Sequence, residues 1–296
     1  MNSFSRSWTL AKASWSVLRE DKELIALPAI SAIASLVLVA PFFGIAALTV
    51  TTTPSTGTTT GDAGFQLGIA GYVAVFIAYL LAAYVTIFFQ TALILAANDR
   101  MTGGSPTLTS ALSAAWANAG RILPWALISA TVSIVLQAIQ NRAGFVGKIV
   151  IGLVGMAWTL VTLLVLPILV IEQVGVKEAF TRSAGAFKRT WGENVVGNAG
   201  IGLVSMLAML AGIVVTVPLI ALGASNELWP VLGLGVALLV VWVVLVSVFS
   251  AALSGVFRTA LYRYAMLGES SSGFTEEQIA GAFRPKKTGA RGLLGG

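Results

Sequence analysis

Long, predominantly apolar runs alternate with short polar stretches along the whole chain. The runs cover residues 24–50, 65–97, 122–140, 149–171, 195–222 and 231–258. A helix needs about 20 apolar residues, within a range of about 17–25, to cross the hydrocarbon of a bilayer, so each run predicts one membrane span. Several exceed that length, which predicts tilt or helical ends that project into water. No Asp, Glu, Lys or Arg falls in the middle of a run. The predicted fold is an all-α integral membrane protein, with six spans as three hairpins in one domain over residues 1–268.

Between the runs the pattern shifts to the helical period. On a helix over residues 3–19, Phe4, Trp8, Ala11, Trp15 and Leu18 share a stripe, with Lys12 and Arg19 along its edge. This stretch is too polar to span and predicts an amphipathic helix lying in the membrane interface, its basic stems laid on apolar surface. Glu20, Asp21 and Glu23 then sit where the first span begins, and negative charge is favourable at a helix N-terminus. A second such helix is predicted over 107–119, where Leu108, Leu112, Ala115, Trp116 and Ala119 share a face after a Ser-Pro start. A third, over 176–191, aligns Val176, Phe180, Ala184, Phe187 and Trp191, with Arg182, Lys188 and Arg189 off that face. Phe4, Trp8, Trp15, Trp116, Phe180, Phe187 and Trp191 are therefore candidate interfacial anchors. One surface helix plus one hairpin would form a unit occurring three times, as a loose repeat. The plainer reading is that any juxtamembrane segment on that side of a membrane looks this way.

Composition fits this reading. Apolar residues make up 57% of the chain and charged residues 10%, where a soluble domain is about a quarter charged. The formal net charge of +6 reads as topology and not as nucleic-acid binding. Sixteen of the 18 Lys and Arg fall in 1–23, 98–121, 172–194 and 258–296, and only Arg142 and Lys148 fall in the alternate connections. The positive-inside rule then places both termini in the cytoplasm. It leaves the Thr-, Gly- and Pro-containing loop 51–64 outside, irregular and solvated. The charged turns ahead of the first run do not follow a cleavable signal plan, so the chain is expected to keep its N-terminus. The basic loops and the absence of a transit peptide point to a bacterial inner membrane. In the tail 269–296, largely disordered by composition, Thr275–Gln278 has capping-box spacing for a short helix. Arg284, Lys286, Lys287 and Arg291 follow. Two readings of that basic end stand: a tether for anionic lipid or a cytosolic partner, or a disordered end whose charge helps set topology.

The chain contains no cysteine and no histidine. Thiol nucleophiles, Ser-His-Asp and Cys-His sets, disulfides and imidazole or thiolate metal sites are thereby excluded. No catalytic residue, cofactor or metal is assigned. Glu172 ends the fourth run after Pro167, where it can pair with Lys177 or Arg182. Asp99 and Arg100 end the second run in the same way. Gln90 and Gln137 are the most polar residues inside runs, and each needs a partner in hydrocarbon. An interhelical hydrogen bond and a ligand contact in a polar cavity both satisfy that need. Prolines 28, 41, 124, 167 and 218 predict kinks or span ends. Gly197, Gly200 and Gly202, with Ala199, predict close helix approach. The string GNAGIG follows no strand, so a dinucleotide loop is rejected.

The stretches SWSVLREDKELIALPAISAI and LPILVIEQVGVKEAFTRSAGAFKRTWGENVVGN together resemble an uncharacterised family of bacterial six-helix membrane proteins, over nearly the whole chain. The second stretch also resembles the membrane domain of some glycerophosphodiester phosphodiesterases and of YciC-like inner-membrane proteins, mainly over 111–204. The residues that carry it are Pro167, Glu172, Glu178, Ala179, Arg182, Ser183, Lys188 and Trp191. The resemblance implies a fold and not the phosphodiesterase activity, whose catalytic domain is absent here. The expected function is a non-enzymatic membrane scaffold or accessory subunit that binds membrane lipids or a membrane-protein partner, a second copy of the chain included. The alternative is a carrier or channel for a lipidic or small neutral substrate, with a cavity lined by Gln90, Gln137 and serines. A third reading is a lipid-headgroup enzyme using Glu172 or Glu178 beside Arg182 or Lys188.

Overall fold

The computed structural model describes residues 23–53, 64–190 and 199–268. The predicted surface helix 3–19 with Phe4, Trp8 and Trp15 lies outside the described residues, as do Gly197 and Trp191. So do the tail with Arg284, Lys286, Lys287 and Arg291, and the side chain of Phe187.

Helix α1 (Glu23–Leu48) leads into a short antiparallel ribbon of β1 (Val50–Thr53) and β2 (Gly64–Leu67), in which Val50 faces Leu67. The loop predicted to be irregular is thus extended and paired at both ends, as its β-branched threonines favour. Helix α2 (Ile69–Met101) follows, then α3 (Leu108–Ala117), α4 (Ala119–Arg142), α5 (Phe145–Val161) and α6 (Val165–Ile171). The chain continues through α7 (Val176–Thr190), α8 (Ala199–Ser225) and α9 (Trp229–Tyr262) to a π-helical turn, Arg263–Leu267. Among the described residues six helices are long and apolar enough to cross a membrane, with α5 and α6 acting as one interrupted span and α9 continuing through the π turn.

Local chemistry accounts for where some elements start. Thr107, and not the preceding Ser-Pro pair, caps α3. Its hydroxyl accepts from the Ser110 amide at 3.1 Å while the Ser110 hydroxyl accepts from the Thr107 amide at 2.9 Å. Asn118 separates α3 from α4 and is itself buried, its side-chain amide donating to the Ala114 carbonyl at 2.9 Å. Pro28 and Pro41 in α1, Pro124 in α4 and Pro218 in α8 lie inside continuous helices, so none of these four ends a span.

Helix α2 is the hub, packing against α1, α3, α4, α6 and α9, whereas α8 packs chiefly on α9. The close α8–α9 approach is made at Gly212, Gly223 and Gly235 and not at Gly202, which faces open space. A Cβ on Gly212 would come within 1.9 Å of the Trp242 ring, and that indole donates to the Ala208 carbonyl at 2.9 Å.

Burial is concentrated at one end of the bundle. There the first turns of α1 (Leu24, Leu27), the last third of α2, the start of α4 (Ile122, Trp125), all of α6 and the end of α9 form a single core. Toward the other end the helices turn large apolar residues outward: Leu36 is 71% exposed, Leu153 60% and Val214 71%. Apolar surface of this extent would drive association in water; hydrocarbon is the solvent that suits it.

Candidate functional site

Two polar clusters are set into the packed end, and the first begins with a proline. Pro167 has no amide to give to the Leu163 carbonyl and its ring crowds that oxygen, and residues 162–164 form a turn between α5 and α6. The Val165 amide bonds to Thr162 O at 3.1 Å, which releases the Val161 carbonyl from its regular helical partner. Ser183 on α7, almost fully buried, donates its hydroxyl to that carbonyl at 2.5 Å. A polar side chain from a neighbouring helix therefore re-satisfies backbone freed by proline. Ala179, with no exposed surface, and Ala186 complete the face that α7 lays against the protein. This buried face lies one residue ahead of the predicted stripe of Phe180, Ala184 and Phe187.

Past α6, Gln173 takes a positive φ of 56° and turns the chain into α7. That turn brings Glu172 to Arg182, and Arg182 bonds Glu178 as well. The pair forms with Arg182 and not with Lys177. Tyr262 at the end of α9 donates its hydroxyl to the other Glu172 oxygen at 3.1 Å. Partial desolvation pulls the Arg182 pKa down, but Glu178 and Glu172 outweigh it and hold the guanidinium above its ordinary value. Both carboxylates are thus engaged by one cation.

The second cluster lies among α1, α2 and α9. A groove of about 280 Å³ runs between them, walled by Phe89, Leu93, Val244 and Val248 and dotted with Ser31, Ser35 and Ser247. A second cavity, of about 220 Å³, holds Ser250, Ser254, Gly255 and Arg258. Gln90 and Ala251 border both. The Arg258 guanidinium reaches Gln90 Oε1 at 3.5 Å, the outer limit of a hydrogen bond. One turn on, Arg263 is buried and donates to Asn98 Oδ1 at 3.0 Å.

Of the residues singled out from sequence, Gln90 lines both cavities and Glu172 joins Arg182. Gln137 is exposed on α4 and does not join Gln90, so the polar cavity is built from one glutamine and not two. Trp116 is 74% exposed, its ring edge against Phe88 at 6.2 Å. Phe180 is half-buried on the Trp158 ring at 5.9 Å, so its contact is with protein. Arg258 and Tyr262 were not anticipated. The signal for Arg258 was the spacing Ser247, Ala251, Ser254, Arg258, one small or polar face of an otherwise apolar helix.

Among the described residues, six spanning-length helices that turn large apolar side chains outward define a multi-pass membrane protein. Residues 69–274 match the family described as a family of unknown function, DUF6159, and the chain belongs to that family. No curated protein and no solved structure matches the chain.

Proposed function

We propose that this is a non-enzymatic protein of a bacterial cytoplasmic membrane that binds lipid within the bilayer. The observation that carries this reading is the groove among α1, α2 and α9, apolar along its walls and bordered by Gln90 and serines. Apolar walls with a few placed polar groups are what a small-molecule site presents, and in a bilayer the ligand at hand is an acyl chain. Both termini lie in the cytoplasm, and the core end of the bundle, where the basic residues gather, is the cytoplasmic end. The six spans form three hairpins, with α3 and α7 lying at that surface as amphipathic helices. In this setting the protein serves as a scaffold or accessory subunit.

The same groove favours a lipid carrier as the second reading, because a bundle closed by Leu, Val and Ala would leave no room for cargo. A lipid-headgroup enzyme using Glu172 or Glu178 beside Arg182 is the third reading, and the two carboxylates do converge on that guanidinium. The test is gentle solubilisation of the tagged full chain, followed by mass spectrometry of bound lipids and co-purifying proteins against an unrelated six-span control. The expected result is an enriched lipid that Ala251→Trp, which fills the border of both cavities, releases. A stoichiometric protein partner with no enriched lipid would overturn the lipid reading.

A further inference from the structure

Arg258 differs from Arg182 and Arg263 of the packed end. Arg182 is held by two carboxylates and Arg263 by Asn98. Arg258 has the Gln90 side chain at 3.5 Å, and among the described residues no carboxylate lies within ion-pair distance of it. A guanidinium carries five N–H donors and stays charged at any physiological pH. An ionised group set into a membrane-spanning helix is costly unless a counter-charge or a polar cavity meets it. Here the polar cavity exists, with Ser250, Ser254 and Gln90 around it, but no counter-charge comes from the described residues.

We infer that Arg258 holds the phosphate of a membrane glycerophospholipid, with that lipid's acyl chain in the adjoining groove. This rests on the lipid-binding reading above and adds the group that is recognised. The planar fork of arginine suits two phosphate oxygens at once. Ser254 lines the same cavity and offers a hydroxyl beside that fork. The polarity gradient runs the right way for a lipid. From Arg258 back to Val244, α9 covers about 21 Å at about 1.5 Å per residue, passing from the charged cavity through Ser254, Ala251 and Ser247 to the valine-walled groove. The polar end lies at the packed end of the bundle and the apolar end toward mid-span, the order of headgroup and chain in one leaflet. A free anion from water would leave the apolar groove unused.

The test compares two lipids with identical acyl chains, phosphatidylglycerol and diacylglycerol, offered together to the delipidated full chain in detergent and read by native mass spectrometry. Each sample yields a ratio of two bound lipids, so a loss of folded protein cancels. Wild type is expected to favour the phospholipid by about tenfold or more, as a charge-assisted hydrogen bond implies. In Arg258→Gln the ratio should fall to near one while diacylglycerol still binds, and Arg258→Lys should recover part of it. Ala251→Trp should release both lipids. An unchanged ratio in Arg258→Gln would overturn the phosphate assignment and leave the groove reading intact. Failure of wild type to hold either lipid would overturn the groove reading itself. Inorganic phosphate alone, bound by wild type as tightly as phospholipid and lost in Arg258→Gln, would overturn the lipid as the source of the anion.

Discussion

The two halves of the fourth span are both apolar, yet they live in different surroundings. In α5 no residue is buried, and Leu153 and Val154 face outward at 60% and 50% exposure. In α6 every residue from Val165 to Val170 is buried, Ile168 and Leu169 completely. The break at 162–164 divides them. Because lipid tails are as apolar as leucine, hydrophobicity does not decide whether a membrane helix meets lipid or protein. Packing shape and a few polar contacts decide it.

That contrast can be broken most forcefully by truncating one residue in each half. Ile168→Ala should cost about 2–5 kcal/mol, the range for emptying a well-packed core position, whereas Leu153→Ala should stay within about 0.5 kcal/mol. Chemical unfolding in detergent micelles measures both; equal losses would show that the packed end is no more cohesive than the rest.

A smaller effect is expected from adding volume. A Cβ on Gly255 would meet the Leu93 side chain at 2.3 Å, where α9 crosses α2, so Gly255→Val should destabilise by about 1–3 kcal/mol. Gly155 in α5 has nothing within 4 Å of that position, and Gly155→Val should be near neutral in the same unfolding assay.

The smallest effect sharpens the role of the break. Ser183→Ala removes the donor to the released Val161 carbonyl and should cost about 1–2 kcal/mol. Thr159 makes a comparable bond at 2.9 Å, but to the Gly155 carbonyl of its own helix, so Thr159→Ala should change stability by less than about 0.5 kcal/mol. Faster amide exchange around 161–165 in Ser183→Ala, with α5 unaffected, would place the loss at the break.

Parts of the site are legible in the sequence. Gln90 and Glu172 stand out because polar groups in or beside an apolar run must find partners, and Arg182 is one of two cations near enough in sequence to pair with Glu172. Gln137 satisfies the same rule and yet is exposed, because polarity alone does not say toward which neighbour a helix face turns. Arg258 is hidden by its place at the end of a run, where a basic residue ordinarily marks topology. Pro167 and Ser183 look like unrelated residues 16 positions apart. Only the packing of α7 on the break makes them one device.

By itself the sequence determined six apolar helices, the uneven placement of basic residues and the absence of thiol and imidazole chemistry. All three follow from composition and local periodicity, and none depends on which helix neighbours which. The tertiary structure alone decided where burial is concentrated, that Arg182 gathers both Glu172 and Glu178, and that α1, α2 and α9 leave a groove between them. Those features arise from contacts between residues as far apart as Gln90 and Arg258. In a chain this uniformly apolar, the pattern along the sequence carries little information about which apolar face meets which.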